Sequence, residues 1–248
     1  MASTTSMELP AGELQRVEHS NGFRALAFDV FGTLVDWRTG IAQAAAVHGL
    51  DGERFADAWR ARYAPSMDRV RRGELPWMNL DLLQARSLDE VLLEFGANSL
   101  EPEVRRQLVL AWHRLPPWPD AREGLDRLAS RFLLTTLSNG GFALLTNLVR
   151  NAQLHFDCIL SAELCRHYKP DPETYLMVAE MLDLAPSQVM MVAAHKPDLR
   201  AAQAVGLGAA FIQRPLEFGP RTAVDRLPDP DATVDATDLL DLASRLGC

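Results

Sequence analysis

At 248 residues, with 48% hydrophobic side chains and a formal charge of −8, the chain can bury a large core, and the charge opposes non-specific nucleic-acid binding. No apolar run approaches the roughly 18 to 20 residues that a membrane-spanning helix needs. The start, Met1-Ala2-Ser3-Thr4-Thr5-Ser6, lacks the basic-then-apolar order of a secretory signal, so a cytoplasmic protein without membrane partners is expected.

Residues 1–22 are polar, contain Pro10, Gly12 and Asn21-Gly22, and show no sustained period; they read as an N-terminal extension. An apolar strand at 23–28 follows, and then helical patterns at 41–48, 53–63, 80–95 and 102–112 with almost no β-branched runs. Pro116-Pro117-Trp118-Pro119 closes this stretch, because proline cannot continue a helix. Beyond it the chain alternates: helix 121–130, strand 132–137, helix 141–152, strand 158–160, helix 172–183, strand 189–192, helix 198–205, strand 209–212, and a closing helix at 239–246. Alternating β and α units imply an α/β fold, a Rossmann-like parallel sheet with helices on both faces. The expected organisation is an extension (1–22), a core from 23–36 and 116–248, and an all-helical insert at 37–115 after the first strand. Cys158, Cys165 and Cys248 are odd in number and lack CxxC spacing, so neither a disulfide framework nor a zinc site is expected.

The segment Leu26-Ala27-Phe28-Asp29-Val30-Phe31-Gly32-Thr33-Leu34-Val35-Asp36 carries a carboxylate out of a buried strand into a tight turn. Gly32 permits close backbone approach, and Thr33 can hydrogen-bond back to the turn or to a bound group. In a parallel α/β fold ligands bind outside the carboxyl ends of the strands. The residues directly after each apolar run are Asp29, then Ser138-Asn139-Gly140, then Lys169-Pro170-Asp171-Pro172, then Ala193-Ala194-His195-Lys196-Pro197-Asp198. Each has a structural reading as a helix cap or turn. Together they converge on one rim, as a site for a small anion requires.

In order and spacing, Asp29-x-Phe31-Gly32-Thr33, Ser138-Asn139-Gly140, Tyr168-Lys169-Pro170-Asp171-Pro172 and Asp198, with the helical insert after the first motif, resemble the haloacid dehalogenase superfamily and, within it, the L-2-haloacid dehalogenases. The resemblance covers about residues 23–240. It implies a helical cap over the core, with the site in the cleft between them.

Most of that superfamily are phosphatases, which use a second Asp two residues after the nucleophile as general acid, and Mg²⁺. Here Phe31 stands at the acid position, and Ala194 replaces the first acid of the fourth motif, so no metal or other cofactor is expected. Displacing halide from carbon needs neither, since halide leaves without a proton.

The resemblance then implies roles. Asp29 attacks C2 of a short (S)-2-haloalkanoate or haloacetate, and water hydrolyses the resulting ester to the 2-hydroxy acid. Lys169 pairs with Asp29 and Asp198. Thr33 supports Asp29, Tyr175 organises Lys169 or the halide side, and Ser138 and Asn139 hold the substrate carboxylate. Arg60 faces the leaving halogen. Val30, Phe31 and Trp59 are expected around the substrate, with Trp37, Trp77, Met78 and Leu80 as further candidates for the apolar wall. His195 either assists Asp198 in activating water, as a neutral imidazole, or only orients its loop. A homodimer through the insert is also implied. Two alternatives stay open: another hydrolase of the superfamily (a weak phosphatase, or a carbon-centre hydrolase on a non-halogenated acid), and a catalytically silent binding protein.

Overall fold

The computed structural model describes residues 22–222 and 227–248, so the expected N-terminal extension, apart from Gly22, lies outside the described residues. Among these residues one parallel sheet has the order β3-β2-β1-β4-β5-β6. Its strands are β1 (Ala25–Phe28), β2 (Leu133–Ser138), β3 (Cys158–Ser161), β4 (Val189–Ala193), β5 (Gly208–Ile212) and β6 (Val234–Ala236). This is the expected α/β, Rossmann-like fold. All four residues of β1 are buried: Leu26 and Phe28 face one apolar cluster, Ala25 and Ala27 the other, as the two-residue period of a strand requires. Chain order reverses between β1 and β4, which opens a crevice at their carboxyl ends.

Helices α1 (Trp37–Ala46), α2 (Gly52–Arg60), α3 (Tyr63–Arg71), α4 (Leu80–Glu94) and α5 (Pro102–Ala111), with a 3₁₀ turn at Trp112–Arg114, all lie between β1 and β2. The helix expected at 53–63 ends at Arg60, and a second helix, α3, follows over residues for which none was expected. Pro65 has no N–H and its ring would strike the carbonyl four residues earlier, so it is tolerated only in a first turn, and the chain breaks at Ala61-Arg62 to put it there. The insert leaves and rejoins the core side by side, Asp36 donating its N–H to the Pro116 carbonyl at 2.9 Å. It is tied to the core by the Tyr168 hydroxyl donating to the Met78 carbonyl (2.7 Å) and by the Arg71–Asp171 ion pair (2.7 Å).

The core helices are α6 (Ala121–Leu128), α7 (Phe142–Ala152), α8 (Ala162–Cys165), α9 (Pro172–Met181), α10 (Lys196–Ala204) and α11 (Leu239–Arg245). Helix α10 begins two residues before the expected 198, because Pro197 is compatible with its first turn. Besides α3, the elements not anticipated include β6 and α8, only three and four residues long. Among the described residues no helix is long and apolar enough to cross a membrane.

Candidate active site

Asp29 follows β1 directly, its N–H still bonded to the Val192 carbonyl of β4 at 3.0 Å, so the ladder fixes where its carboxylate emerges. The turn beyond it needs glycine for two reasons. Gly32 has φ +87°, and a Cβ there would come within 2.2 Å of the Glu217 carboxylate. Thr33 donates its hydroxyl to Asp29 Oδ2 at 2.7 Å and accepts the Ala194 N–H at 3.0 Å, which fixes the direction of its hydrogen. The turn itself is held by Arg214, which donates to the Thr33 carbonyl at 2.8 Å and grips both oxygens of Asp120.

Lys169 lies between two carboxylates, 3.4 Å from Asp29 Oδ1 and 2.7 Å from Asp198 Oδ2. The other oxygen of Asp198 accepts the Tyr175 hydroxyl at 2.6 Å. Burial alone would raise the Asp29 pKa, but the Lys169 charge and the hydrogen bonds from His195 and Thr33 hold it well below the usual carboxylate range. Burial would strip Lys169 of its proton; Asp198 and Asp29 outweigh that and raise it. Asp198 goes the other way from Asp29, raised by burial and by the Asp29 charge against the pull of Lys169, and is the better proton acceptor of the two.

His195 bridges Asp29 and Glu217. Its Nδ1 is 3.2 Å from Asp29 Oδ2, and its Nε2 is 3.0 Å from both Glu217 oxygens. Burial would lower its pKa, but hydrogen bonds to the two carboxylates push it up to about 10, so the resting form is the imidazolium. The neutral imidazole considered from the sequence is not the form that this geometry favours.

These groups open on a pocket of about 630 Å³ whose far wall comes from α2 and α3. Arg60 enters it with its guanidinium against the Tyr63 ring (4.1 Å to the centroid) and the Trp37 ring (5.1 Å). Its Nη1 is buried without a hydrogen-bond partner. Phe31, 2% exposed, supplies an apolar wall and meets Tyr63 and Trp112 edge to face.

Asp29, Phe31, Arg60, Asn139, Lys169, Tyr175, His195 and Asp198 all line this pocket, and Thr33 supports it from behind. Three expected substrate contacts do not. Trp59 turns into the helical layer, its indole N–H donating to Ser87 Oγ (3.0 Å) and to the Gln84 carbonyl (3.2 Å), and its ring packs on Trp112 and on Phe55 of the same helix. Ser138 is fully buried and its hydroxyl accepts the Gly140 N–H at 3.2 Å, so it shapes the turn. Val30 points into the core, as a residue adjacent to Asp29 in extended chain must. Of the apolar candidates, Trp37 reaches the pocket, whereas Trp77 packs at a tilt against Tyr168 and Met78 and Leu80 belong to the helical core.

Tyr63, Met67, Glu217 and Phe218 are site residues that sequence reasoning missed. Glu217 had a signal: it lies in the segment after β5, and the strand-end test that found the other groups stopped at β4.

An aspartate thus follows the first strand of a Rossmann-like sheet and faces helices that lie between β1 and β2, the setting of a hydrolase family. The chain belongs to the haloacid dehalogenase-like hydrolases, whose family model matches residues 23–206. It is similar to (S)-2-haloacid dehalogenase 1 of Pseudomonas sp. (strain CBS-3), 32% identical over 195 residues that cover 77% of this chain and 85% of that protein. Among solved structures, the defluorinating L-2-haloacid dehalogenase Rha0230 superposes with a TM-score of 0.88 at 44% identity, over 91% of this chain and 96% of that one. The L-2-haloacid dehalogenase from Xanthobacter autotrophicus with chloropropionic acid covalently bound superposes with a TM-score of 0.77 at 26% identity, over 90% and 97%.

Proposed function

We propose that the protein is a hydrolytic dehalogenase that converts short (S)-2-haloalkanoates or haloacetates to 2-hydroxy acids through an ester on Asp29. The observation that carries this reading is Phe31. Where a phosphoryl-transfer enzyme needs an acid for its leaving oxygen, a buried phenyl ring lines the pocket, and the nearby Ala194 likewise offers no side-chain oxygen. An ionised Asp29 faces that apolar wall, and Arg60 supplies a charged donor from the opposite side. Relatives named as (S)-2-haloacid dehalogenases, and one with chloropropionic acid covalently bound, support it.

The two oxygens of Asp29 are unequal. Oδ2 carries the hydrogen bond from Thr33 and the His195 contact; Oδ1 has only the longer contact to Lys169. Oδ1 therefore keeps the more available lone pair and attacks C2 from behind as halide leaves toward Arg60. Asn139 meets the substrate carboxylate in this reading, supported by its position on the rim, where its Oδ1 accepts the Lys169 N–H at 2.8 Å. Water then attacks the ester, with Asp198 as its base.

In this reading residues 37–115 are a cap domain over the core of 23–36 and 116–248. A homodimer through the cap is supported by Leu82 and Leu93, exposed and eleven positions apart on one face of α4. The cytoplasm is supported by the free thiols of Cys158, Cys165 and Cys248.

Incubation with chloroacetate, L-2-chloropropionate and fluoroacetate in the presence of a chelator, with free halide and separately phosphate from an aryl phosphate measured, tests the function. Fluoroacetate belongs in the panel because a 44% identical relative is described as defluorinating. Halide release without added Mg²⁺ is expected; Mg²⁺-dependent phosphate release with no halide would sink the reading.

A further inference from the structure

We propose that Glu217 is a positioning residue that keeps His195 charged, so that His195 Nδ1–H and the Thr33 hydroxyl together receive the oxyanion formed when water attacks the Asp29 ester. This rests on the ester reading above and assigns the second half of the reaction.

The geometry leaves Oδ1 to attack carbon, so Oδ2 becomes the carbonyl oxygen of the ester. It already faces two donors, Thr33 Oγ1 at 2.7 Å and His195 Nδ1 at 3.2 Å. Both are oriented from behind. The Ala194 N–H occupies a lone pair of the Thr33 hydroxyl at 3.0 Å, which aims its hydrogen at Oδ2. Both oxygens of Glu217 bracket His195 Nε2 at 3.0 Å, and Glu217 is itself fixed by the Trp37 indole N–H at 3.1 Å and by close approach to Gly32. An imidazole with a carboxylate on each nitrogen donates on both sides.

Ester formation removes the Asp29 charge. Of the two anions that touch His195, only Glu217 then remains. The other charged groups of the site, Lys169 and Asp198, reach His195 only through Asp29, and Arg60 stands across the pocket. Glu217, 3% exposed, is thus what holds the imidazolium while the oxyanion develops. The high pKa of resting His195 agrees with this arrangement.

In the step itself, the water oxygen bonds to Cγ of Asp29 and its proton passes to Asp198, while the carbonyl electron pair moves onto Oδ2. When the pair returns, the bond from Cγ to Oδ1 breaks. Oδ1 leaves as the hydroxyl of the 2-hydroxy acid with the proton that Asp198 held.

The test is Glu217→Gln, which keeps shape and removes charge. The first-turnover halide burst should survive, while steady-state turnover at neutral pH falls by about 10²–10³-fold, the usual cost of losing one oxyanion donor. The enzyme ester should accumulate, visible by intact-mass spectrometry and peptide mapping to Asp29. The ratio of mutant to wild-type turnover should rise as pH falls, because His195 regains its proton. A ratio that rises with pH would make His195 a base, and a pH-independent ratio would make Glu217 structural; either overturns the proposal. If Glu217→Gln does not fold, ¹⁵N-histidine NMR of the wild type during turnover decides: His195 must remain the imidazolium at pH 8, and a neutral ring refutes the idea. An ester that never forms on Asp29 in either protein would instead overturn the underlying reaction.

Discussion

Asp29→Asn should reduce halide release by at least about 10⁴-fold while leaving the far-UV spectrum unchanged, because a neutral amide cannot displace halide and no second carboxylate takes its place. Asp198 lies in the same pocket, but its oxygens are engaged by Lys169 and Tyr175. The substitution is isosteric, and Thr33 can still donate to the amide oxygen. Lys169 keeps Asp198 as a partner and His195 keeps Glu217, so no buried charge is stranded. Halide release at a substantial fraction of the wild-type rate, by a protein of unchanged mass, would refute the nucleophile assignment.

Lys169→Met should cost about 3–5 kcal/mol of stability at pH 7, the usual consequence of breaking a buried ion pair from one side. Asp29 is buried and Asp198 nearly so, and within contact distance Lys169 is the cation that offsets both. The sign of the pH dependence follows from the shifts. In the wild type the Asp29 pKa is lowered, so its contribution is present above the ordinary value of 3.8 and is lost as pH falls. In the variant at least one of the two carboxylates rises above its unfolded value, and such a group destabilises increasingly as pH climbs through that raised pKa. The stability gap between wild type and variant should therefore narrow as pH falls from 7 toward 4.5, measured by urea denaturation. A gap constant across that range would show that Lys169 is not the counter-charge of the pair. Turnover should fall with stability, since Asp29 would share its site with Asp198 and an uncompensated negative field.

The polar rim was legible because its residues follow apolar strands directly, and strand ends are where parallel sheets expose chemistry. Asp29, Lys169 and Asp198 were found this way, and β1, β2, β3, β4 and β5 lie close to their expected positions. What stayed hidden depends on tertiary direction. Which face of α2 meets the core decides that Arg60 enters the pocket and its neighbour Trp59 does not. A nine-residue helix carries no mark of which apolar side faces another helix and which faces a cavity. Glu217 sits in a loop with no period of its own and matters because the fold brings it against His195 Nε2 and Gly32. Pro65 did carry the signal for the break before α3, as proline fits a first turn and not an interior.

The phosphatase question turns on the same few atoms. Phe31 and Ala194 remove side-chain oxygens from two places at the rim, while Asp29, Lys169 and Asp198 retain the charge arrangement that a carboxylate nucleophile needs. In the proposed reaction Arg60, beside two aromatic rings and with Nη1 unpaired, is the group toward which halide departs.

The most direct measurement is a single turnover of chloroacetate or L-2-chloropropionate in ¹⁸O-water with enzyme in excess, followed by mass analysis of the peptide that contains Asp29. Hydrolysis of an aspartyl ester at Cγ must leave one ¹⁸O atom on Asp29 and none in the 2-hydroxy acid. Label in the product with none on Asp29 would mean that water attacks carbon directly and that no ester forms.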